Sequence, residues 1–219
     1  MFRTPLLERL EGTKAKILLL GAHCDDIEIG CGGTILQLLE LAPSVEVHWI
    51  VFSSNKIRYK EAEASAQHFL SSAKNRTIRI LNFRNSFFPA EATEIKEYFE
   101  SIKQSFNPDL IFTHYKKDYH QDHRVINELT WNTFRDHFIL EYEIPKYDGD
   151  IGQPTTYMPI ANAQRRNKVD SIVKYFESQA SRQWFTPSTF DALMRIRGIE
   201  CNAEDGYAEA FYARKILLG

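Results

Sequence analysis

The stretch Lys16-Ile17-Leu18-Leu19-Leu20-Gly21-Ala22-His23-Cys24-Asp25-Asp26-Ile27-Glu28-Ile29-Gly30-Cys31-Gly32-Gly33 decides how this chain is read. It opens on an unbroken Ile/Leu run with no polar alternation, which suits a strand covered on both faces. A polar turn carrying a histidine and two adjacent carboxylates follows. Gly30 then begins a helical pattern with Ile35, Leu36, Leu38, Leu39 and Leu41. A buried strand passing through a short turn into a helix is the unit from which parallel α/β sheets are built, and such sheets bind ligands beyond the carboxyl ends of their strands.

Working outward, the same alternation continues. Strand patterns fall at residues 45–52, 77–83, 110–114 and 138–144, and helical patterns at 58–74, 91–106 and 121–136. The third helical pattern places Ile95, Tyr98, Phe99, Ile102 and Phe106 on one face, and Pro108 ends it. Residues 145–159, rich in Gly, Pro, Asp and Tyr, read as a loop, either an ordinary surface connection or a lid. Helices are expected at about 161–178 and 189–198, before an apolar C-terminal segment. The expected fold class is α/β, a mostly parallel sheet flanked by helices.

The chain has 219 residues, which leaves one large domain or two small ones open. No repeat, low-complexity segment or composition shift divides it, so a single domain over 1–219 is expected. Basic residues number 27 against 29 acidic, a net of -2 with no block of like charge. Clustered Lys and Arg, the footprint of a nucleic-acid or anionic-membrane surface, are missing. The apolar runs fall far short of a membrane span of about 20 residues. Met1-Phe2-Arg3-Thr4-Pro5 has no apolar export-signal core. Three sparse cysteines, Cys24, Cys31 and Cys201, fit a reducing compartment. The expectation is a soluble, cytoplasmic protein.

The chemistry concentrates after two of the strands. The first strand leads into His23, Asp25 and Asp26. The fourth leads into His114-Tyr115-Lys116-Lys117-Asp118-Tyr119-His120-Gln121-Asp122-His123. If the sheet sets these two strands side by side, both loops line one cleft. Imidazole and carboxylate are good ligands for Zn²⁺, and a catalytic zinc takes three protein ligands plus water. His23 and Asp26 can converge from one turn and His123 from the other. Asp25 is placed to take a proton from water, His120 to stabilise an oxyanion or protonate a leaving amine, and Asp122 to orient His120. The same donor set suits Fe²⁺. His48, His68 and His137 read as structural or surface residues, while His114 either lines the pocket or ends a strand. Three nearby acids, Asp25, Asp26 and Glu28, disfavour a thiolate at Cys24 and with it a Cys–His nucleophile. The glycines lack the G-x-G-x-x-G order of a dinucleotide site. Phe87, Phe88, Tyr115, Tyr119 and Trp184 are candidates to stack on a sugar ring.

His23-Cys24-Asp25-Asp26 with Gly30-Cys31-Gly32-Gly33, paired with His120-Gln121-Asp122-His123, resembles the PIG-L / LmbE-like family of zinc-dependent N-acetylglucosamine deacetylases. That family's motifs read Ala-His-Pro-Asp-Asp and His-x-Asp-His. Arg58 with Glu61, and Tyr207-Ala208-Glu209-Ala210-Phe211, extend the resemblance over about residues 16–212. It implies a Rossmann-like fold, zinc on His23, Asp26 and His123, Asp25 as base, His120 as acid or oxyanion stabiliser, and Arg58 as a substrate contact. The implied substrate is a small N-acetylated amino sugar or its conjugate. A zinc amidase on another N-acyl substrate and a non-catalytic sugar- or metal-binding protein remain alternatives. Two positions depart from the pattern. Cys24 stands where the family has Pro, which would loosen the turn and set a thiol beside the metal. Asn85 stands where many members have Asp, which bears on the substrate.

Overall fold

The computed structural model describes Leu10 and residues 14–216. In chain order the elements are β1 (Lys16–Gly21), α1 (Asp26–Leu41), β2 (Glu46–Val51), α2 (Lys56–Phe69), β3 (Asn75–Ile80), α3 (Ala92–Ser105) and β4 (Leu110–His114). There follow α4 (Gln121–Thr133), β5 (Phe138–Tyr142), β6 (Thr156–Pro159), α5 (Asn162–Tyr175), a 3-10 turn (Glu177–Gln179), α6 (Pro187–Glu200) and β7 (Ala208–Ala213). One seven-stranded sheet runs in the order β3-β2-β1-β4-β5-β7-β6. The first five of these strands pair in parallel, while β7 is antiparallel to both β5 and β6.

The apolar run of β1 explains its central place. Ile17 and Leu19 face a layer made by α1, α2, α5 and α6, where Ile35, Leu38, Phe69, Ile172 and Met194 lie. Leu18 and Leu20 face the opposite layer, with Phe99 and Ile102 of α3 and Ile126 of α4. All four β1 side chains are fully buried, each stabilising the fold by roughly 1.5–3 kcal/mol relative to exposure. The chain winds outward from β1 through β2 and β3, then crosses back to β4 on the other side of β1. The resulting switch point between β1 and β4 is where open α/β sheets bind ligands, and it brings the two polar loops together as the sequence required.

Two readings differ from expectation. The helix read from Gly30 starts at Asp26, because two helical pieces meet at Cys31, whose backbone (φ -146°, ψ 15°) is non-helical. The second piece is capped from afar: Glu209 accepts from the Gly33 and Thr34 N–H groups at 2.8 and 2.7 Å. Gly30 has no room for a side chain, since a Cβ there would lie 2.2 Å from the Tyr142 ring. The segment 145–159 is not all loop, because its last four residues form edge strand β6. Among the described residues no helix is long and apolar enough to cross a membrane.

Candidate metal centre

Each element end delivers one part of the site. The turn after β1 carries His23, Asp25 and Asp26, with the His23 N–H donating to Asp26 Oδ2 at 2.6 Å. The N-cap of α4 is His120, whose Nδ1 accepts from the Asp122 N–H at 3.2 Å. One turn into that helix comes His123, which is buried. Asn55 caps α2 through the Ile57 and Arg58 N–H groups, which aims Arg58 back at the β1 turn.

The three expected ligands converge. His23 Nδ1 lies 3.1 Å from His123 Nε2 and 3.4 Å from Asp26 Oδ2, and His123 Nε2 lies 3.6 Å from Asp26 Oδ1. Tetrahedral ligands at about 2.0–2.2 Å from an ion are themselves roughly 3.3 Å apart, so this spacing suits zinc. The tautomers strengthen the fit. His23 Nε2 donates to Asp122 Oδ2 at 3.1 Å, and His123 Nδ1 donates to Asp118 Oδ2 at 2.9 Å. With those nitrogens bonded to carboxylates, the two facing nitrogens need a positive charge between them, either a metal ion or the proton that His23 Nδ1 carries when its ring is charged. Carboxylate–histidine pairs of this kind are the usual outer support of a metal site. His120 also turns toward this point, its ligand atom lying within 4.8 Å of those of His23 and His123.

The electrostatics agree. Burial alone would lower the His23 pKa, but hydrogen bonds to the Asp122 and Asp26 carboxylates hold it up at about 10, so the point draws positive charge. Burial and the stacked His114 push His123 down to about 3, which keeps it a neutral ligand. Burial would raise the Asp26 carboxyl, but the surrounding imidazoles, with hydrogen bonds from His114 and His23, hold it well below the usual carboxylate range. Burial raises the Asp25 carboxyl, with Arg58 pulling the other way.

The observed contacts bear on two expected roles. Asp122 does not orient His120: its carboxylate supports His23 and accepts from the Ser86 and Phe88 N–H groups at 2.6 and 3.2 Å. It therefore ties the loop after β3, where Ser86 has φ 66°, to the ligand set. Arg58 already has partners beside the site. Its guanidinium donates to Asp25 Oδ1 at 2.8 Å, lies 3.6 Å from Glu61 and sits over the Phe176 ring. Cys24 also differs from expectation. Its thiol points into the core and donates to the Ser53 carbonyl at 3.3 Å, and burial pushes its pKa up to about 12.

His114 both ends its strand and joins the site, with Nε2 accepting from the Ala22 N–H at 2.9 Å and lying 3.2 Å from Asp26 Oδ2. His48 stacks on Phe106 and His68 bonds Asn167 and Ser171, both structural. Among the candidate aromatics, Phe88 is core, Tyr115 stacks on Tyr212, and Phe87 and Tyr119 are exposed. Sequence reasoning missed Asp118. The signal was there, a carboxylate five residues before a ligand histidine in the same loop.

A family model described as PIG-L: GlcNAc-PI de-N-acetylase matches residues 18–134, and the chain belongs to that family. Solved structures share the fold at low identity. N,N'-diacetylchitobiose deacetylase from Pyrococcus horikoshii is 20% identical with a TM-score of 0.63, over 95% of this chain and 88% of that one. A zinc-inhibited form of the teicoplanin deacetylase Orf2 is 14% identical at 0.70, over 91% and 97%. GalB, the 4-carboxy-2-hydroxymuconate hydratase from Pseudomonas putida KT2440, is 14% identical at 0.74, over 94% and 98%.

Proposed function

We propose that the protein is a zinc-dependent hydrolase that removes the N-acetyl group from an N-acetylated amino sugar or sugar conjugate, releasing acetate and a free amine. The observation that carries this reading is the pair of facing ring nitrogens, His23 Nδ1 and His123 Nε2, beside the Asp26 carboxylate. Zinc bound there would supply Lewis acidity for the amide carbonyl and lower the pKa of water toward about 7. Family membership and the deacetylases among the fold neighbours favour an N-acetyl substrate. GalB has the same fold and a different reaction in its name, so the fold does not choose the chemistry and the side chains must.

Asp25 stands next to the ligands without being one of them, and it takes the proton of the attacking water. Arg58 fixes one of its oxygens and favours the carboxylate form against the effect of burial. His120 has its Nδ1 occupied by the helix cap, so its proton sits on Nε2. That N–H donates to the oxyanion of the tetrahedral intermediate, and the proton that Asp25 took from the water passes to the departing amine. Asp122 and Asp118 hold the two histidine ligands in their tautomers.

The test is metal analysis of protein purified without chelator, with Asp26→Ala alongside, followed by acetate release from free, nucleotide-linked and lipid-linked N-acetyl sugars. About one zinc per chain, lost in the variant, together with acetate release, is the expected result. Iron in place of zinc would change the metal and keep the site. Metal without acetate release from any sugar would move the reading to another amide or to a binding protein. Because one fold neighbour is described as zinc-inhibited, turnover should be followed as zinc is raised past one equivalent.

A further inference from the structure

Asp118, Asp148 and Asp150 bring three carboxylates close enough together to suggest a second cation site. A cation of the protein's own already stands among them. Lys146 Nζ lies 2.6 Å from Asp150 Oδ2, 3.0 Å from Asp118 Oδ2 and 3.9 Å from Asp148 Oδ2, with only 9% of its side chain exposed. Asp118 Oδ2 is the same oxygen that accepts from His123 Nδ1, and Asp118 Oδ1 accepts from the His120 N–H at 2.8 Å. Asp150 Oδ2 also accepts from the Tyr119 N–H at 2.6 Å. The far end of this segment is held separately: Arg197 donates to the Gly152 carbonyl at 2.9 Å, and the Gly152 N–H donates to Glu143 at 3.3 Å.

We infer that Lys146 is a positioning residue for the ligand His123, acting through Asp118, and that it latches segment 145–152 onto the loop that carries His120, Asp122 and His123. A carboxylate that orients a ligand histidine must itself be fixed. Apart from His123 itself, the Asp118 carboxylate is held on its own side by the His120 N–H, and Lys146 ties it to the loop after β5. The segment read as a lid or a surface connection is then a brace for the metal ligand, anchored at residues 146, 150 and 152.

The inference rests on the metal reading for its effect on affinity, whereas the latch can be tested without metal. The full chain is compared with Lys146→Met, Lys146→Arg and Asp150→Asn. Zinc affinity is measured by competition with a chromophoric chelator. The rate of chymotryptic cleavage after Tyr147, which is exposed, is measured on metal-free protein. Lys146→Met is expected to weaken zinc binding about tenfold or more and to speed cleavage, and Lys146→Arg to restore most of both. Removing a nearby positive charge would by itself favour a bound cation, so weaker binding reports lost positioning and not lost charge. Zinc binding as tight as wild type or tighter in Lys146→Met, unchanged cleavage, or no recovery with arginine would each overturn the proposal. If Lys146→Met does not fold, Asp150→Asn decides. It should show smaller changes of the same sign, and wild-type behaviour would overturn the latch. A wild-type protein that binds no zinc would refute the metal reading alone, leaving cleavage to judge the latch.

Discussion

Two groups of buried charges lie against the same sheet, and they are built on opposite plans. In the first, around β7, Lys168 donates to Glu209 at 2.6 Å and to the Ile29 carbonyl at 2.7 Å, while Glu209 caps the second half of α1. Nearby, Arg197 makes a two-pronged pair with Glu143 at 2.8 and 2.9 Å and also reaches Glu200 and Gly152. Every charge there meets its opposite. At the β1–β4 switch point, Asp25, Asp26, Asp118 and Asp122 face Arg58 and Lys146 as the permanent cations among the described residues, and two histidine ring nitrogens look at each other. Burial of charge is common to both groups. What separates them is that the first is closed, whereas the second gathers more carboxylates than cations around the point where the proposed metal would sit.

If that contrast is right, mutations in the two groups should fail in different ways. Asp25→Asn keeps the side-chain volume and leaves Arg58 with Glu61, so it should lower turnover by roughly 10²–10⁴-fold. Bound metal and the urea midpoint should stay close to wild type. Glu209→Ala removes no group near the ligands but strands the buried Lys168 and two helix N–H groups. It should cost about 3–5 kcal/mol of stability, read from urea unfolding. An Asp25→Asn protein that unfolds earlier than Glu209→Ala would erase the distinction, because the first group would then be structural as well.

Asp122→Ala sharpens the contrast inside the site. Its carboxylate holds His23 and two backbone N–H groups of the loop after β3, including that of Ser86 in its left-handed conformation. Loss of such outer support typically weakens metal binding 10–100-fold, so chelator competition should show a drop of that size. Wild-type affinity would mean that His23 is fixed by its own turn and that Asp122 serves the loop alone.

The sheet was legible wherever apolar runs stood without alternation. Residues 16–21 and 110–114 were read with the bounds observed, because each carries an apolar run buried on both faces of the sheet. The ligands were legible because they lie in two short loops at strand ends. What escaped were contacts made at long range in the chain. Lys146 reaches Asp118 only because β4 and β5 pair, Glu209 caps α1 from β7, and Arg58 finds Asp25 across the β1–β2 crossover. The kink at Cys31 hid the true start of α1, since local periodicity assumes an unbroken helix. Edge strand β6 was lost among Gly and Pro because it is only four residues long.

The smallest effect is expected at Cys24, where the family pattern has Pro and where proximity to His23 suggests a thiol ligand. The thiol faces away, 2% of the residue is exposed, and its sulfur is bonded to the Ser53 carbonyl. With its pKa pushed up to about 12 it stays protonated at neutral pH, and a protonated thiol is neither nucleophile nor ligand. Cys24→Ala should therefore cost only about 1 kcal/mol, the ordinary price of a small buried truncation. Zinc affinity and turnover should be unchanged, and alkylation of Cys24 in native protein at neutral pH should be slow. A tenfold loss of zinc affinity in this variant would place the thiol among the ligands. It would also add one more unmatched group to the switch point, making the contrast with the closed group around β7 larger than the geometry now requires.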